Sequence, residues 1–247
     1  MGIDSQVIEA GVKVLGLSVV AKVFEGPIGT LNDIWGLCGG DKIKLRREKH
    51  IEDYSSIIAA KVQSIPLEKI QEPKLSILGP ALEASKFYIE EEEIRELFAN
   101  LISKSMNSDY NDSIPHSFVE IIKQLSPHDA LLFKEFHFNN AFVELVLENE
   151  KNESWFYKGY CYITPSFMED SINSISLVNL EKQGLIKIFY GKRLIDVSLY
   201  SIYDSLYLRY DKPTFPKGND LPLKLVMKKH SFELTSLGNK FIEICCN

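Results

Sequence analysis

From residue 3 to residue 150 the apolar side chains recur at three- and four-residue spacing, and the runs are cut by proline, glycine and helix-capping residues. A spacing near 3.6 puts one apolar stripe on each helix, and closely spaced stops oblige neighbouring stripes to cover one another, so this stretch reads as packed helices. The first run sets Ile3, Val7, Ala10, Val14, Leu17 and Ala21 on one face, widened by Ile8, Val12, Leu15, Val19 and Val23, and stops at Gly26-Pro27. Thr30 and Asp33 form a capping box for a short helix ending at Gly39-Gly40. Residues 41–64 predict a long charged helix with Ile43, Ile51, Tyr54, Ile57, Ile58 and Val62 as its apolar edge, ending before Pro66. Gly79-Pro80 precedes a segment over 81–88, and Glu90 to Glu93 set carboxylates at the opening of a helix over 91–106, where they complement its dipole. Capping boxes from Ser117 to Glu120 and from Ser126 to Asp129 open a helix over 118–125 and a longer one, with Pro127 in first position, that runs to Glu148.

After residue 150 aromatic and turn residues thicken, and the composition shift marks a boundary between residues 1–150 and 151–247. Residues 155–163 read as extended chain. A capping box, Ser166 to Glu169, opens a helix over 171–183 that Gly184 closes in the left-handed position. Residues 185–190 alternate as a strand, residues 223–234 look like the returning strand, and Thr235 to Gly238 lead into a last helix through Phe241, Ile242 and Ile244. The order helix, strand, wing, strand, helix resembles a winged helix, and LVNLEKQGLIKI followed by FELTSLGNKFIE is similar to the tail of many such domains. Residues 192–220 are long for a wing and read as an insertion. The expected fold is mainly α, α+β overall: an N-terminal helical domain followed by a winged-helix-like C-terminal domain.

A second resemblance lies in the helical part. Ile65-Pro66, the run Leu78 to Leu82, the run Glu93 to Ile102, and above all PHSFVEIIKQLSP from Pro115 through His116, Ser117 and Phe118 to Pro127 resemble the Abi-alpha family of bacterial abortive-infection proteins over roughly the first 150 residues. The resemblance implies a helical bacterial protein associated with phage defence and carries no catalytic residues. From the residues themselves, Pro115, His116, Ser117 and Phe118 read as structural, with the His116 imidazole satisfying the backbone ahead of the Ser117 cap.

Net charge is −6, which argues against coating nucleic acid by bulk electrostatics. The charge is uneven, with eleven basic against nine acidic residues from Ser166 onward and 17 against 25 before it, so contact with nucleic acid belongs in the C-terminal third. Burying Ile172, Ile175 and Val178, with Leu180 and Leu185, turns Asn173, Ser176, Asn179, Lys182 and Gln183 outward as the candidate nucleic-acid or partner surface. Asparagine and glutamine can pair bidentately with adenine in the major groove. Lys192, Arg193, Lys228 and Lys229 are the candidate backbone contacts. The helix face itself is nearly neutral, with Glu181 opposing Lys182, and has no arginine, which favours protein contact over specific DNA binding.

Phosphate-loop, dinucleotide, zinc-protease and nucleophile-elbow signatures are all missing, so the expectation is a non-enzymatic chain with no catalytic residues, no cofactor and no metal. The five histidines are scattered, and Cys38, Cys161, Cys245 and Cys246 lack CxxC spacing and read as reduced thiols. Charges at Asp4, Glu9, Lys13, Lys22 and Glu25 argue against a signal peptide or a membrane span, giving a cytoplasmic expectation. The expected partners are a phage or host protein, then DNA through the C-terminal domain, then a membrane surface through the N-terminal amphipathic run, with self-association as a further expectation. The competing roles are a membrane-perturbing growth-arrest effector and a transcriptional regulator.

Overall fold

Helices form where apolar spacing, caps and stops agree, as a computed structural model of the chain shows; it describes residues 41–136, 140–151, 154–167, 170–210 and 223–247. The amphipathic run over 3–23, the Thr30–Asp33 cap, Cys38 and His137 lie outside the described residues. The chain divides into two compact units, Met1–Pro127 with Phe241–Asn247, and His128–Lys240.

In the first unit the described helices are α1 (Asp41–Gln63), α2 (Leu75–Ser85), α3 (Glu92–Ser105) and α4 (Ser117–Lys123). Helix α3 is central to it. It packs against α1, α2, α4 and the π-helical turn Ile242–Cys246, burying Ile94, Leu97, Phe98, Leu101 and Ile102 completely. Asn100 of α3 donates to the Cys245 carbonyl at 2.7 Å, and the Phe118 and Phe241 rings meet edge to face at 5.1 Å. The expected start at Ala81 is corrected: α2 begins at Leu75 and carries Pro80 inside it. Gly79 has no Cβ to collide with the proline ring, so the helical conformation is open to the residue before Pro80.

The second unit carries α5 (Pro127–Lys134), whose first residue is the last of the first unit, then β1 (Asn140–Glu148), β2 (Ser154–Cys161), α6 (Asp170–Lys182), β3 (Ile186–Phe189), α7 (Asp204–Tyr210), β4 (Lys224–Leu234) and α8 (Ser236–Phe241). The strands form one antiparallel sheet in the order β2-β1-β4-β3. The long helix expected to reach Glu148 therefore ends at Lys134, and residues 140–148 are a central strand. Val143, Leu145 and Leu147 pack with Tyr200, Tyr203 and Leu206 on one face, while Phe142 on the other meets the Tyr160 and Phe232 rings. A strand buried on both faces loses its alternation, which is why NAFVELVLE looked like a continuing helix. Pairs such as Val143↔Cys161 also cross the expected boundary at residue 150 and tie both sides of it into one sheet.

The β3–β4 hairpin is as expected, with Ile186 opposite Leu234. Strand β2 and a turn at Thr164–Phe167, where a winged helix has a helix, precede α6. Part of the insertion also packs as ordered structure. The 3₁₀ turn Val197–Tyr203 and α7 cover the sheet, with Tyr200 donating to the His230 carbonyl, Tyr203 to that of Ala141 and Tyr207 to that of Leu225.

Candidate recognition surface

Helix α6 is turned the opposite way from the expectation. Asn173, Ser176, Leu177 and Leu180 are buried, while Ile172, Ile175 and Val178 are 40%, 71% and 51% exposed. The cause is Asn173. Its Nδ2 donates to the carbonyls of Tyr162 at 2.8 Å and Phe167 at 2.9 Å, and its Oδ1 meets His128 Nε2 at 2.8 Å. Ser174 donates to the Tyr160 carbonyl and Asn179 Nδ2 to Asp129 Oδ2. Rotating the helix would orphan several of these groups at about 1–3 kcal/mol each. It would also expose Leu177 and Leu180, cancelling much of what burying three β-branched side chains contributes, at about 1.5–3 kcal/mol per side chain.

The end of α6 matches the expectation. Gly184, at φ 73°, stands in the left-handed position, Gly184 N–H donates to Glu181 and Leu185 N–H to Leu180, and Leu180 and Leu185 are both fully buried. These two bonds form a Schellman cap. Thr235 Oγ1 then donates to the Gly184 carbonyl at 2.6 Å and accepts from Gly238 N–H, which caps α8. A Cβ on Gly238 would overlap the Leu185 carbonyl, so glycine is required there.

Of the residues expected to face a nucleic acid, then, Asn173 and Ser176 are buried, and Asn179 and Gln183 are half-buried and hydrogen-bonded. Lys182 alone is exposed as expected. The four expected backbone cations do not form one free cluster. Lys228 is bound to Glu148 at 3.1 Å and donates to Ser154 Oγ at 2.8 Å, and these two partners hold the Glu148 carboxyl below its ordinary range. Lys229 lies over the Tyr200 ring and Lys192 over the Phe189 ring, while Arg193 is exposed. Ile195, Val197 and Leu199 are exposed on the insertion, as Ile172, Ile175 and Val178 are on α6, so both segments display aliphatic side chains.

Sequence reasoning missed two polar features. Glu144 on β1 and His230 on β4 are both buried, with Oε2 and Nε2 3.4 Å apart, and the Gly191 N–H donates to His230 Nδ1 at 2.7 Å. The only sequence signal was Glu144 interrupting an apolar run, and a helical reading of that run hid its partner. A cavity of about 300 Å³ also opens between Glu135, the start of β1 and the 3₁₀ turn at 197–203. Several hydroxyls in its wall are already engaged, Tyr203 with Ala141, Thr164 with Phe167 and Ser198 with Asp196.

In the first unit His116 and Ser117 are exposed, Pro115 is half-buried and Phe118 is buried. His116 Nε2 bonds Ser76 Oγ at 2.9 Å rather than the backbone, and Glu120 holds Lys123 instead of closing the expected capping box. The exposed ends of that stretch serve α2 and α4, and Phe118 fills the core. A family model described as abortive infection alpha matches residues 46–245.

The chain belongs to that family. The match runs well past the first 150 residues, so the second unit is part of what defines an Abi-alpha chain, and the coarse role that follows is abortive-infection defence against phage. No curated protein and no solved structure matches the chain. Among the described residues, no group of three or more His, Cys, Asp or Glu side chains is placed to hold a metal ion, and no helix is long and apolar enough to cross a membrane. Cys161 and Cys245 are buried reduced cysteines, and burial pushes the Cys245 thiol well above its ordinary value, away from nucleophilic use.

Proposed function

We propose that this Abi-alpha chain acts in the cytoplasm as a non-enzymatic phage-defence protein, and that its second unit recognises another protein, of phage or host origin, through the aliphatic face of α6. The supporting observation is the rotation of α6, which spends its polar residues on internal hydrogen bonds and leaves Ile172, Ile175 and Val178 exposed. An apolar stripe of this kind suits the buried centre of a protein interface. It suits DNA poorly, because base edges call for hydrogen-bonding side chains and phosphates for several free cations, whereas here Lys228 is paired and Lys229 and Lys192 lie on aromatic rings.

Phage plating efficiency on cells carrying two variants tests this reading. In one, Ile172, Ile175 and Val178 are changed to serine; in the other, Lys192, Arg193, Lys228 and Lys229 are changed to alanine. The first is expected to fold and lose protection, and the second to protect as the parent does. Loss of protection only in the cation variant, together with DNA affinity that falls and loses its salt dependence, would transfer the role to nucleic-acid binding.

A further inference from the structure

The buried imidazole of His230 holds the base of the insertion by an arrangement that only one protonation state allows. Gly191 directs its N–H at Nδ1, so Nδ1 must carry a lone pair and the proton of the neutral ring sits on Nε2. Gly191 can turn that N–H inward because it adopts φ 70°, a conformation that favours glycine. The same histidine accepts from Tyr200 through its carbonyl, Tyr200 Oη accepts from Leu194 N–H, and Ser231 donates to the Lys192 carbonyl. The path from Tyr190 to Leu194, which leads directly into exposed Ile195 and Val197, is therefore fastened to β4 at three points, of which the His230 ring supplies the one at Gly191.

The surroundings offer that ring a second arrangement. Glu144 from β1 has its Oε2 3.4 Å from Nε2 with no hydrogen bond closed between them, and protonation of the ring would turn that contact into an ion pair. Lys228, on the same strand, opposes the charge. The aromatic rings of Phe142 and Tyr160, and that of Tyr190 with Glu181 behind it, complete the enclosure. We propose that His230 is a proton-operated latch: neutral, it holds Gly191 at the start of the insertion; protonated, it pairs with Glu144, presents an N–H where Gly191 needs an acceptor, and releases Gly191. Burial, the dominant influence, keeps the imidazole below its ordinary value of 6.5 despite the opposing pull of Glu144. Because the folded value is depressed, the neutral, latched form dominates above 6.5, and the latch opens as pH falls through the folded value. This inference stands on the sheet geometry and is independent of whether α6 recognises a protein.

The test is amide hydrogen exchange of the intact chain, corrected for intrinsic rates, at a series of pH values from about 8 to about 4.5, with the His230 ring resonance followed in parallel. Protection of the Gly191 amide is expected to drop by about tenfold or more with the midpoint of the His230 titration, while amides of β1 stay protected. Glu144→Gln removes the acceptor of the ion pair and is expected to move both midpoints to lower pH together. His230→Phe keeps a ring in place and should leave Gly191 exchanging rapidly at every pH. Gly191 protection that stays flat through the His230 titration in the unmodified chain, or a ring that never titrates while the chain is folded, would overturn the proposal, whatever the variants do.

Discussion

Helices α3 and α6 have 14 and 13 residues and similar shares of aliphatic side chains, yet they answer to different forces. In α3 every large aliphatic and Phe98 is buried, and the carboxylates sit at the start where the helix dipole favours them. In α6 three of the five large aliphatics face water, and the helix is held by an asparagine with three partners. Apolar burial sets the rotation of a helix when the aliphatics share one face. When they are spread around the axis, as in α6, opposing faces nearly cancel, and a few buried hydrogen bonds decide. The aliphatic stripe left over is the observation on which the proposed protein contact rests.

The largest effect expected from this contrast is in α3. Phe98→Ala should cost about 3–5 kcal/mol in denaturant unfolding, since it empties a fully buried ring site. Asn173→Leu comes next: it raises hydrophobicity at a fully buried position yet should destabilise by about 2–3 kcal/mol, because the Tyr162 and Phe167 carbonyls and His128 lose their partner. If that substitution stabilised the chain, hydrogen bonding would not be what orients α6. The smallest change is Ile175→Ser, which should shift stability by no more than about 0.5 kcal/mol because the side chain already lies in water. A cost several times larger would mean that Ile175 is buried in solution.

Much of the fold was legible where a signal is local. The limits of α1 and α3, Pro127 at the start of α5, Gly184 at the end of α6 and the β3–β4 hairpin follow from caps, stops and alternation within a few residues. Features decided by partners far along the chain were not legible. β1 is buried by elements on both of its faces, which removes the period that would have marked it as a strand. The rotation of α6 depends on His128 and Asp129, some fifty positions earlier, and on the carbonyls of Tyr162 and Phe167 in the turn before it. The His116 stretch was legible as helix but not in its contacts, because Ser76, its partner, is forty residues away. The helix itself thus formed where expected, while Asn173 and Ser176, read as facing outward, lie on its buried side.

The most direct test of that inverted helix compares two neighbouring positions. With Cys38 and Cys246 replaced by serine, Ile175→Cys and Ser176→Cys are each exposed to a maleimide under native conditions. Ile175 is 71% exposed and Ser176 only 2%, so the first cysteine should be labelled at nearly the rate of a free thiol and the second at least about a hundredfold more slowly. Fast labelling at 176 with protection at 175 would return the polar face to the solvent and remove the basis for an aliphatic recognition surface.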